Sequence, residues 1–270
     1  YSLPIPSAQL KSCVLLAGLF GKDPTIVIET VQSRDHTERL LDLKVETFGA
    51  DKRIISSLQH SIPAQNYTVP GDFSAASFWL AAGAIHPSSK IVLPETGINP
   101  SRTAFLTILK EMGANITLGN ELMQGKEPVA DITITSSELH AIELQPSVIA
   151  NCIDELPILM IVMCFAKGTS VIRGAGELRH KETDRLKAMG NILSLAGADF
   201  EMFEDGIKIT GNREFKPKSA IFESEHDHRI AMSAAVLSLM ANENSKIIGA
   251  ECTDISYPGF WRDLQLLIEQ

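Results

Sequence analysis

The stretch from Phe73 to Leu118 decides the fold, because it holds one copy of a pattern that recurs along the chain. It reads FSAASFWLAAGAI (73–85), then SKIVLPE (89–95), then NPSRTAFLTILKEMGANITL (99–118). A small-residue helix is followed by a β-branched strand, a polar loop, a second helix ending in Gly-Ala, and a further strand. This order predicts a βαβαββ module, which is too small to bury its own faces and needs sister modules to complete a core.

Three other stretches repeat the pattern. The first module runs from SAQLKSCVLLAGLF (7–20) to SRDHTERLLDLKVETFGA (33–50), so that Gly49 takes the place of Gly113. The third runs from DELPILMIVMCFAKG (154–168) to RHKETDRLKAMGNILSLAGADFEMF (179–203), and the fourth from HDHRIAMSAAVLSLMA (226–241) to FWRDLQLLIEQ (260–270). The fourth reaches the end of the sequence without closing strands. We therefore predict an α/β fold of four modules.

A polar, proline-containing stretch from Ser61 to Pro70 separates the first module from the others. We place a domain boundary near residues 66–72. On this division, residues 1–70 form one module of an N-terminal domain. Residues 71–270 form a C-terminal domain of three modules, of which the last lacks its closing strands.

The composition limits the classes of partner. Lys and Arg number 24 against 33 Asp and Glu, a net charge of −9, which argues against nucleic acid or an anionic membrane as the main partner. The longest apolar run, residues 156–166, is shorter than the roughly 20 residues of a membrane span, and no signal peptide precedes the first residue. We expect a cytoplasmic protein.

The four cysteines have neither CxxC spacing nor a nearby histidine pair, which predicts no zinc site and no disulfide framework. They are Cys13, Cys152, Cys164 and Cys252.

Charged residues at predicted helix starts are the candidate site. KETDRL places Lys181, Glu182 and Arg185 in the first turn of a predicted helix, where the backbone amides favour an anion. The two cations would form a phosphate or carboxylate cradle, and Glu182 could carry a proton. The alternative is helix capping by Glu182, Thr183 and Asp184, with the cations in surface ion pairs.

Two further helix starts carry a charge. Arg229 in HDHR is unfavourable at a helix N-terminus unless an anion neutralises it, and the alternative is pairing with Glu223 or Glu225. Asp154 in NCIDELP either caps the third module's first helix or accepts a proton from a substrate hydroxyl.

Small polar residues open the first module. Ser7 and Gln9, with Lys11 behind them, begin a predicted helix, and Ser33 and Arg34 lie in a polar loop. Such side chains suit phosphate or hydroxyl recognition, although Ser7 could equally be an N-cap. In repeated modules these helix starts would all face the same side. The sequence contains no P-loop, HExxH or GxSxG motif, which leaves nucleotide hydrolysis, zinc proteolysis and esterase chemistry without support.

The strings SAQLKSCVLLAGL, SRDHTERLL, IDELP, KETDRL and DHRIAM resemble the 5-enolpyruvylshikimate-3-phosphate synthase family over essentially the whole chain. The resemblance implies the enolpyruvyl transferase fold, with two domains of three βαβαββ modules that close like a hinge. It implies transfer of the enolpyruvyl group of phosphoenolpyruvate to the 5-hydroxyl of shikimate 3-phosphate, with release of phosphate. It further implies a monomer that needs no metal or other cofactor and has only these small-molecule partners.

The resemblance also implies roles for individual residues. Asp154 would take the proton of the attacking hydroxyl, Glu182 would handle a proton at the methylene carbon, and Lys181 would contact the shikimate hydroxyls. The residues implied to bind shikimate 3-phosphate are Ser7, Ala8, Gln9, Ser33, Asp154 and Lys181. Those implied to bind phosphoenolpyruvate are Gln9, Arg185 and Arg229.

The chain departs from the family pattern in two respects. The resemblance implies two further modules upstream, about 130 residues at the repeat length, which in the family carry a lysine, an arginine and the glycine-containing loop where glyphosate sensitivity is set. In the family the extreme N-terminus completes the C-terminal sheet, which would explain the unfinished fourth module. Ile255 in CTDISYP stands where some members have a lysine. Two alternatives stay open: a non-catalytic anion-binding fragment, and a UDP-N-acetylglucosamine enolpyruvyl transferase, whose reactive cysteine loop has no counterpart here.

Overall fold

The computed structural model describes residues 1–62, 64 and 66–269, and it contains the four predicted modules. The first module comprises α1 (Ala8–Gly18), β1 (Thr25–Glu29), α2 (His36–Leu41), β2 (Lys44–Phe48) and β3 (Asp51–Ser56). Strand β3 pairs antiparallel with both β1 and β2, which gives the order β1-β3-β2. The leading strand is reduced to a parallel bridge between Ser2 and Ile28.

The second and third modules repeat this topology. The second comprises α3 (Phe73–Ile85), β4 (Lys90–Gly97), α4 (Ala104–Glu111), β5 (Asn115–Gln124) and β6 (Glu127–Thr135), in the order β4-β6-β5. The third comprises α5 (Pro146–Cys152), α6 (Leu156–Cys164), β7 (Gly168–Ile172), α7 (Arg185–Ala196), β8 (Asp199–Phe203) and β9 (Gly206–Gly211), in the order β7-β9-β8. Parallel bridges, Gly71 to Thr96 and His140 to Lys167, again mark the leading strands.

The fourth module comprises β10 (Ile221–Glu223), α8 (His228–Ser238), β11 (Lys246–Ile248) and α9 (Phe260–Ile268). Strands β10 and β11 pair in parallel, as the leading segments of the other modules do with their first strands. No strand follows α9 among the described residues. The predicted α/β modules are therefore present, and the fourth one lacks its closing hairpin.

One predicted equivalence is wrong. Gly113 lies just beyond the end of α4, and Gly197 is the C-cap of α7; both have the positive φ (94° and 77°) that releases the chain from a helix. Helix α2 instead ends at Asp42 (φ 55°), and Gly49 lies in the turn between β2 and β3. Aspartate tolerates left-handed backbone better than most residues, so it takes the role of glycine here.

The larger core is built around α6, which packs against α3, α7, α8 and β9. Every residue of α6 is buried, as is every residue of α3 except Ala75. Helices that are apolar on all sides are buried helices. The continuous helical run from Pro146 to Cys164 has the length and mean hydropathy (1.8) of a membrane span, but 67% of it is buried and its centre contains Asp154 and Glu155. These features are those of a core helix.

The first module has its own small core of Leu15, Val27, Leu43 and Ile54. Beside it, the fully buried ammonium of Lys11 lies 3.0 Å from a carboxylate oxygen of Glu29 and 2.6 Å from one of Glu38. Two carboxylates around one cation satisfy a charge that would otherwise be costly to bury.

Candidate active site

A cavity of about 120 Å³ lies between the first module and the third. The start of α1 and the loop before α2 form one wall, and the turn between α5 and α6 forms another. All six residues predicted to bind shikimate 3-phosphate line this cavity: Ser7, Ala8, Gln9, Ser33, Asp154 and Lys181. The structure therefore brings together a set of residues that are up to 174 positions apart in the sequence.

The carboxylate of Asp154 is the centre of the charge distribution. Five cationic groups lie within 4.0 Å of it, and they come from all four modules. The shortest N–O distances are 4.0 Å for Arg34, 4.0 Å for Arg102, 4.0 Å for Lys181, 3.6 Å for Arg185 and 3.8 Å for Arg229. With a net charge of −9, any anion site of this chain has to be local, and these five cations concentrate positive charge at one point.

The cations control the ionisation of Asp154. Burial alone would raise the pKa of this carboxyl group, but Arg229, Arg102, Lys181 and Arg34 outweigh burial and lower the pKa below its ordinary value. Asp154 is therefore ionised at neutral pH. Its side chain does not cap a helix, because it lies in a 3-10 turn (Ile153–Glu155) inside a continuous helical segment.

The first module positions its polar side chains by local bonds. Ser7 is the N-cap of α1, since its hydroxyl accepts a hydrogen bond from the amide of Leu10 (3.3 Å), so the capping alternative is correct for this residue. Ser33 is buried, and its hydroxyl donates to Glu29 (2.9 Å), which also holds Lys11. Gln9 is exposed at the rim of the cavity.

KETDRL does not have the predicted helical geometry. Helix α7 begins at Arg185, so Lys181 and Glu182 lie in the bend before it. Asp184 is the N-cap, because its side chain accepts a hydrogen bond from the amide of Lys187 (3.0 Å). The prediction that Lys181 and Glu182 lie in the first turn of the helix is wrong for this reason, whereas the alternative of capping is correct for Asp184. Lys181 donates to Glu177 (2.6 Å) and still reaches the cavity.

Arg185 and Glu182 lie outside the lining of the 120 Å³ cavity. The Arg185 side chain is 1% exposed and donates from Nε to Asp227 (2.7 Å) and from Nη2 to Glu182 (2.6 Å). Its Nη1 is buried without a hydrogen-bond partner among the described residues, and this is the atom that faces Asp154. Glu182 is 55% exposed.

Arg229 occupies the predicted start of α8, which Asp227 caps. Its partners are neither Glu223 nor Glu225. Nη1 instead donates to the hydroxyl of Ser74 (2.7 Å) and to the backbone oxygen of Asp154 (2.9 Å). Together with Arg34 and Arg102, Arg229 lines a second cavity of about 450 Å³ beside the first.

Two site residues escape the sequence analysis. Arg102 is nearly buried and lines both cavities, and Glu155 is fully buried against it (3.1 Å). A signal for Arg102 is present in the sequence, because NPSR precedes α4 as SRDH precedes α2. Nothing in the sequence distinguishes Glu155 from Asp154 beside it.

A polar cluster joins the first module to the second next to the cavity. The carboxylate of Asp35 accepts hydrogen bonds from Arg39 (2.9 Å), from Asn99 (2.8 Å) and from Ser101 (2.9 Å). Burial would raise the pKa of Asp35, but these three bonds lower it to about 2. Because Arg34 is the adjacent residue, the cluster fixes the backbone that carries Arg34 relative to the loop that carries Arg102.

None of the four cysteines is among the residues that line the two cavities. All four cysteines are free; Cys13 is exposed and the other three are buried. Burial raises the pKa of Cys152 and of Cys164 to about 12, which makes them poor nucleophiles. The reactive thiol expected of a UDP-N-acetylglucosamine enolpyruvyl transferase is therefore not found in the cavity lining.

The repeated modules and the anion site between them define the enolpyruvyl transferase class. The enolpyruvyl transferase NikO from Streptomyces tendae shares the fold, with a TM-score of 0.73 at 16% identity over 94% of this chain and 57% of its own. Within the class, the family model described as EPSP synthase (3-phosphoshikimate 1-carboxyvinyltransferase) matches residues 1–264, and the chain belongs to this family.

Two relatives illustrate the match. The 3-phosphoshikimate 1-carboxyvinyltransferase of Salinibacter ruber is 49% identical, over 98% of this chain and 61% of its own length. The EPSP synthase structure from Acinetobacter baumannii has a TM-score of 0.89 at 39% identity, over 98% of this chain and 61% of its own. The chain thus spans about 60% of the length of the relatives that it matches.

Proposed function

We propose that this chain is the larger part of an enzyme that transfers the enolpyruvyl group of phosphoenolpyruvate to the 5-hydroxyl of shikimate 3-phosphate. The observation that carries the proposal is the set of five cations, contributed by all four modules, around the single carboxylate of Asp154. Both substrates are phosphorylated, and phosphoenolpyruvate also carries a carboxylate. A water-poor cluster of fixed cations stabilises such charges and the charge that develops in the transition state.

Asp154 is proposed as the base. The lowered pKa of Asp154 makes it a weak proton acceptor, because the surrounding cations stabilise the ionised form. Substrate phosphate and carboxylate groups would neutralise those cations, and the pKa of Asp154 would then rise toward the range that suits general base catalysis. The hydroxyl proton passes to Asp154 as the hydroxyl oxygen bonds to C2 of phosphoenolpyruvate, and the electron pair of the C2–C3 double bond takes up a proton at C3 from the group proposed there, Glu182.

Elimination completes the reaction. A proton passes from C3 back to the group that supplied it, the C2–C3 double bond re-forms, and cleavage of the C2–O bond to phosphate releases phosphate and leaves the enol ether product. Glu182 is the proposed group at C3, and its exposed side chain must leave Arg185 to reach the cavity. Lys181 would hold the shikimate hydroxyls, with Ser7, Ala8, Gln9 and Ser33 around the phosphate. Gln9, Arg185 and Arg229 would bind phosphoenolpyruvate.

We further propose that residues 1–70 belong to one domain and 71–270 to another. The separate core of the first module supports this division. The portion of the relatives' length that this chain does not span would supply the other modules of the first domain and the closing strands beside β11. On this basis the 270-residue chain alone is insufficient for turnover, and the whole protein is a cytoplasmic monomer that uses no cofactor.

The test measures turnover of both substrates by the full-length protein, in the native form and in Asp154→Asn. Phosphate release is the signal. We expect Asp154→Asn to lower kcat by about 10² or more and to leave the binding of shikimate 3-phosphate within a few fold. The matched control is Asp199→Asn, an exposed aspartate on β8, which should leave turnover unchanged.

Two outcomes would contradict the proposal. If the native protein binds neither substrate, the assigned reaction is wrong. If Asp154→Asn turns over normally, the cation cluster only binds anions, and the chain is the non-catalytic fragment. Rapid turnover by the 270-residue chain would refute the claim that it is insufficient.

A further inference from the structure

Glu155 is a buried charge with no role in the proposed reaction. Its side chain is fully buried, directly behind Asp154, and it does not line the 120 Å³ cavity. A buried carboxylate is costly unless cations and hydrogen bonds compensate for it. Its partners show what the charge holds in place.

Three groups from two other modules meet at Glu155. Arg102 contacts it with both Nη atoms (3.1 and 3.3 Å), and the hydroxyl of Ser74 donates to it (2.6 Å). The nearest nitrogen of Arg229 is 3.7 Å away. Of the three arginines that border both Asp154 and the 450 Å³ cavity, Arg102 and Arg229 are thus anchored to one carboxylate.

The hydroxyl of Ser74 links Glu155 to Arg229. It accepts a hydrogen bond from Nη1 of Arg229 (2.7 Å), so its single proton is directed to Glu155. Nη1 also donates to the backbone oxygen of Asp154 (2.9 Å). With both N–H groups of Nη1 engaged, the guanidinium cannot rotate, and Nη2 stays on the side of the Asp154 carboxylate (3.8 Å).

We propose that Glu155, acting through Ser74, is a positioning residue that fixes Arg229 and Arg102 as a preorganised pair for the anionic groups of phosphoenolpyruvate. The physical reason is entropic and electrostatic. A free arginine side chain loses rotamer freedom when it binds a ligand, whereas a guanidinium that is already held loses little and needs no reorganisation as charge develops. The identity of the ligand rests on the proposed function; the anchoring does not.

The first experiment compares Ser74→Ala with Ser77→Ala. Both serines are buried on α3, and each donates one short hydrogen bond (2.6 Å), but that of Ser77 goes only to the backbone oxygen of Ser74. In the full-length protein we expect Ser74→Ala to raise the KM for phosphoenolpyruvate by about tenfold and to leave the KM for shikimate 3-phosphate nearly unchanged. Ser77→Ala should change neither, and equal effects of the two variants would overturn the proposal.

The second experiment separates positioning from stability. Glu155→Gln leaves the nearly buried Arg102 with only the more distant carboxylate of Asp154 (4.0 Å) to compensate its charge, so this variant should be less stable. Adding Arg102→Gln removes that charge and should restore much of the stability. The reference for affinity is Arg102→Gln alone, because it removes the same cation from the site. If Glu155 also positions Arg229, the double variant binds phosphoenolpyruvate more weakly than Arg102→Gln does. If the two variants bind it equally well, Glu155 is only a structural partner of Arg102 and the proposal is wrong.

An NMR measurement without ligand tests the anchoring of Arg229 independently of the proposed function. In the NMR spectrum of the native protein, the Nη–H groups of Arg229 should be resolved because rotation of the guanidinium is blocked. They should stay resolved in Ser77→Ala and average in Ser74→Ala. If the native protein binds no phosphoenolpyruvate, the proposed function fails, and these spectra still decide whether Ser74 and Glu155 hold Arg229. Averaged signals in the native protein would overturn the anchoring.

Discussion

The ion pair between Asp227 and Arg185 makes the sharpest prediction about stability. Both side chains are at least 99% buried, Nε of Arg185 lies 2.7 Å from Asp227, and the same carboxylate accepts the amide of Arg229 to cap α8 (2.9 Å). Asp227→Asn preserves the size of the side chain and one acceptor oxygen for the cap. It removes the charge that compensates Arg185.

The size of the effect follows from these contacts. Removing one partner of a buried ion pair costs about 3 to 5 kcal/mol of stability, because the charge of the other partner is left uncompensated. Arg185 keeps the exposed Glu182 (2.6 Å) and the carboxylate of Asp154 (3.6 Å), which favours the lower end. We therefore expect Asp227→Asn to lower the free energy of unfolding by about 3 kcal/mol, a change of about a hundredfold in the unfolding equilibrium.

Urea denaturation followed by the fluorescence of Trp79 and Trp261 measures this loss. The matched control is Asp42→Asn. It removes one charge from the ion pair between Asp42 and Lys126, and both of these side chains are exposed. Asparagine also tolerates the left-handed backbone of Asp42, so the midpoint should not change. A loss below about 1 kcal/mol in Asp227→Asn, within the range of exposed pairs, would refute the reasoning.

Three further predictions concern other parts of the chain. The pKa of Asp35 is lowered to about 2 from an ordinary 3.8, so its contribution to stability is complete above pH 4 and is lost as the pH falls toward 2. Between pH 4 and pH 2, the free energy of unfolding of Asp35→Asn should fall by about 1 kcal/mol less than that of the native protein, a value reduced for partial solvent exposure. An equal fall in the two proteins would contradict the prediction. Lys11→Met leaves two buried carboxylates without their cation and should cost at least about 3 kcal/mol by urea denaturation, whereas a stable variant would show that they become protonated at little cost. A thiol reagent at pH 8 should modify Cys13 rapidly and should reach Cys152 and Cys164, whose pKa values are raised to about 12, only on unfolding; rapid modification of all thiols in the folded protein would refute their burial.

The structure confirms the predicted modules, because each module is determined by interactions between residues that are close in the sequence. The apolar stretches of α3 and α6 predict buried helices, and Gly113 and Gly197 predict helix ends. The one wrong assignment, Gly49, arises because Asp42 can adopt the same left-handed conformation.

The candidate site could be predicted only as a list of residues. The predicted set for shikimate 3-phosphate is found around one cavity, but Glu182 and Arg185 lie outside its lining. KETDRL illustrates the cause, since a capping residue at Asp184 starts the helix three residues later than the motif suggests and turns Arg185 inward to Asp227.

The sequence by itself determined the repeated modules, the helix ends and the residue types available for binding anions, since all of these follow from interactions within a few residues. Only the tertiary structure decided which charges meet. Arg34 and Arg229 are separated by almost two hundred positions and approach the same carboxylate of Asp154 because the modules pack side by side. Neighbours such as Asp154 and Glu155 are alike in sequence, and packing alone exposes the first to the cavity and buries the second behind it.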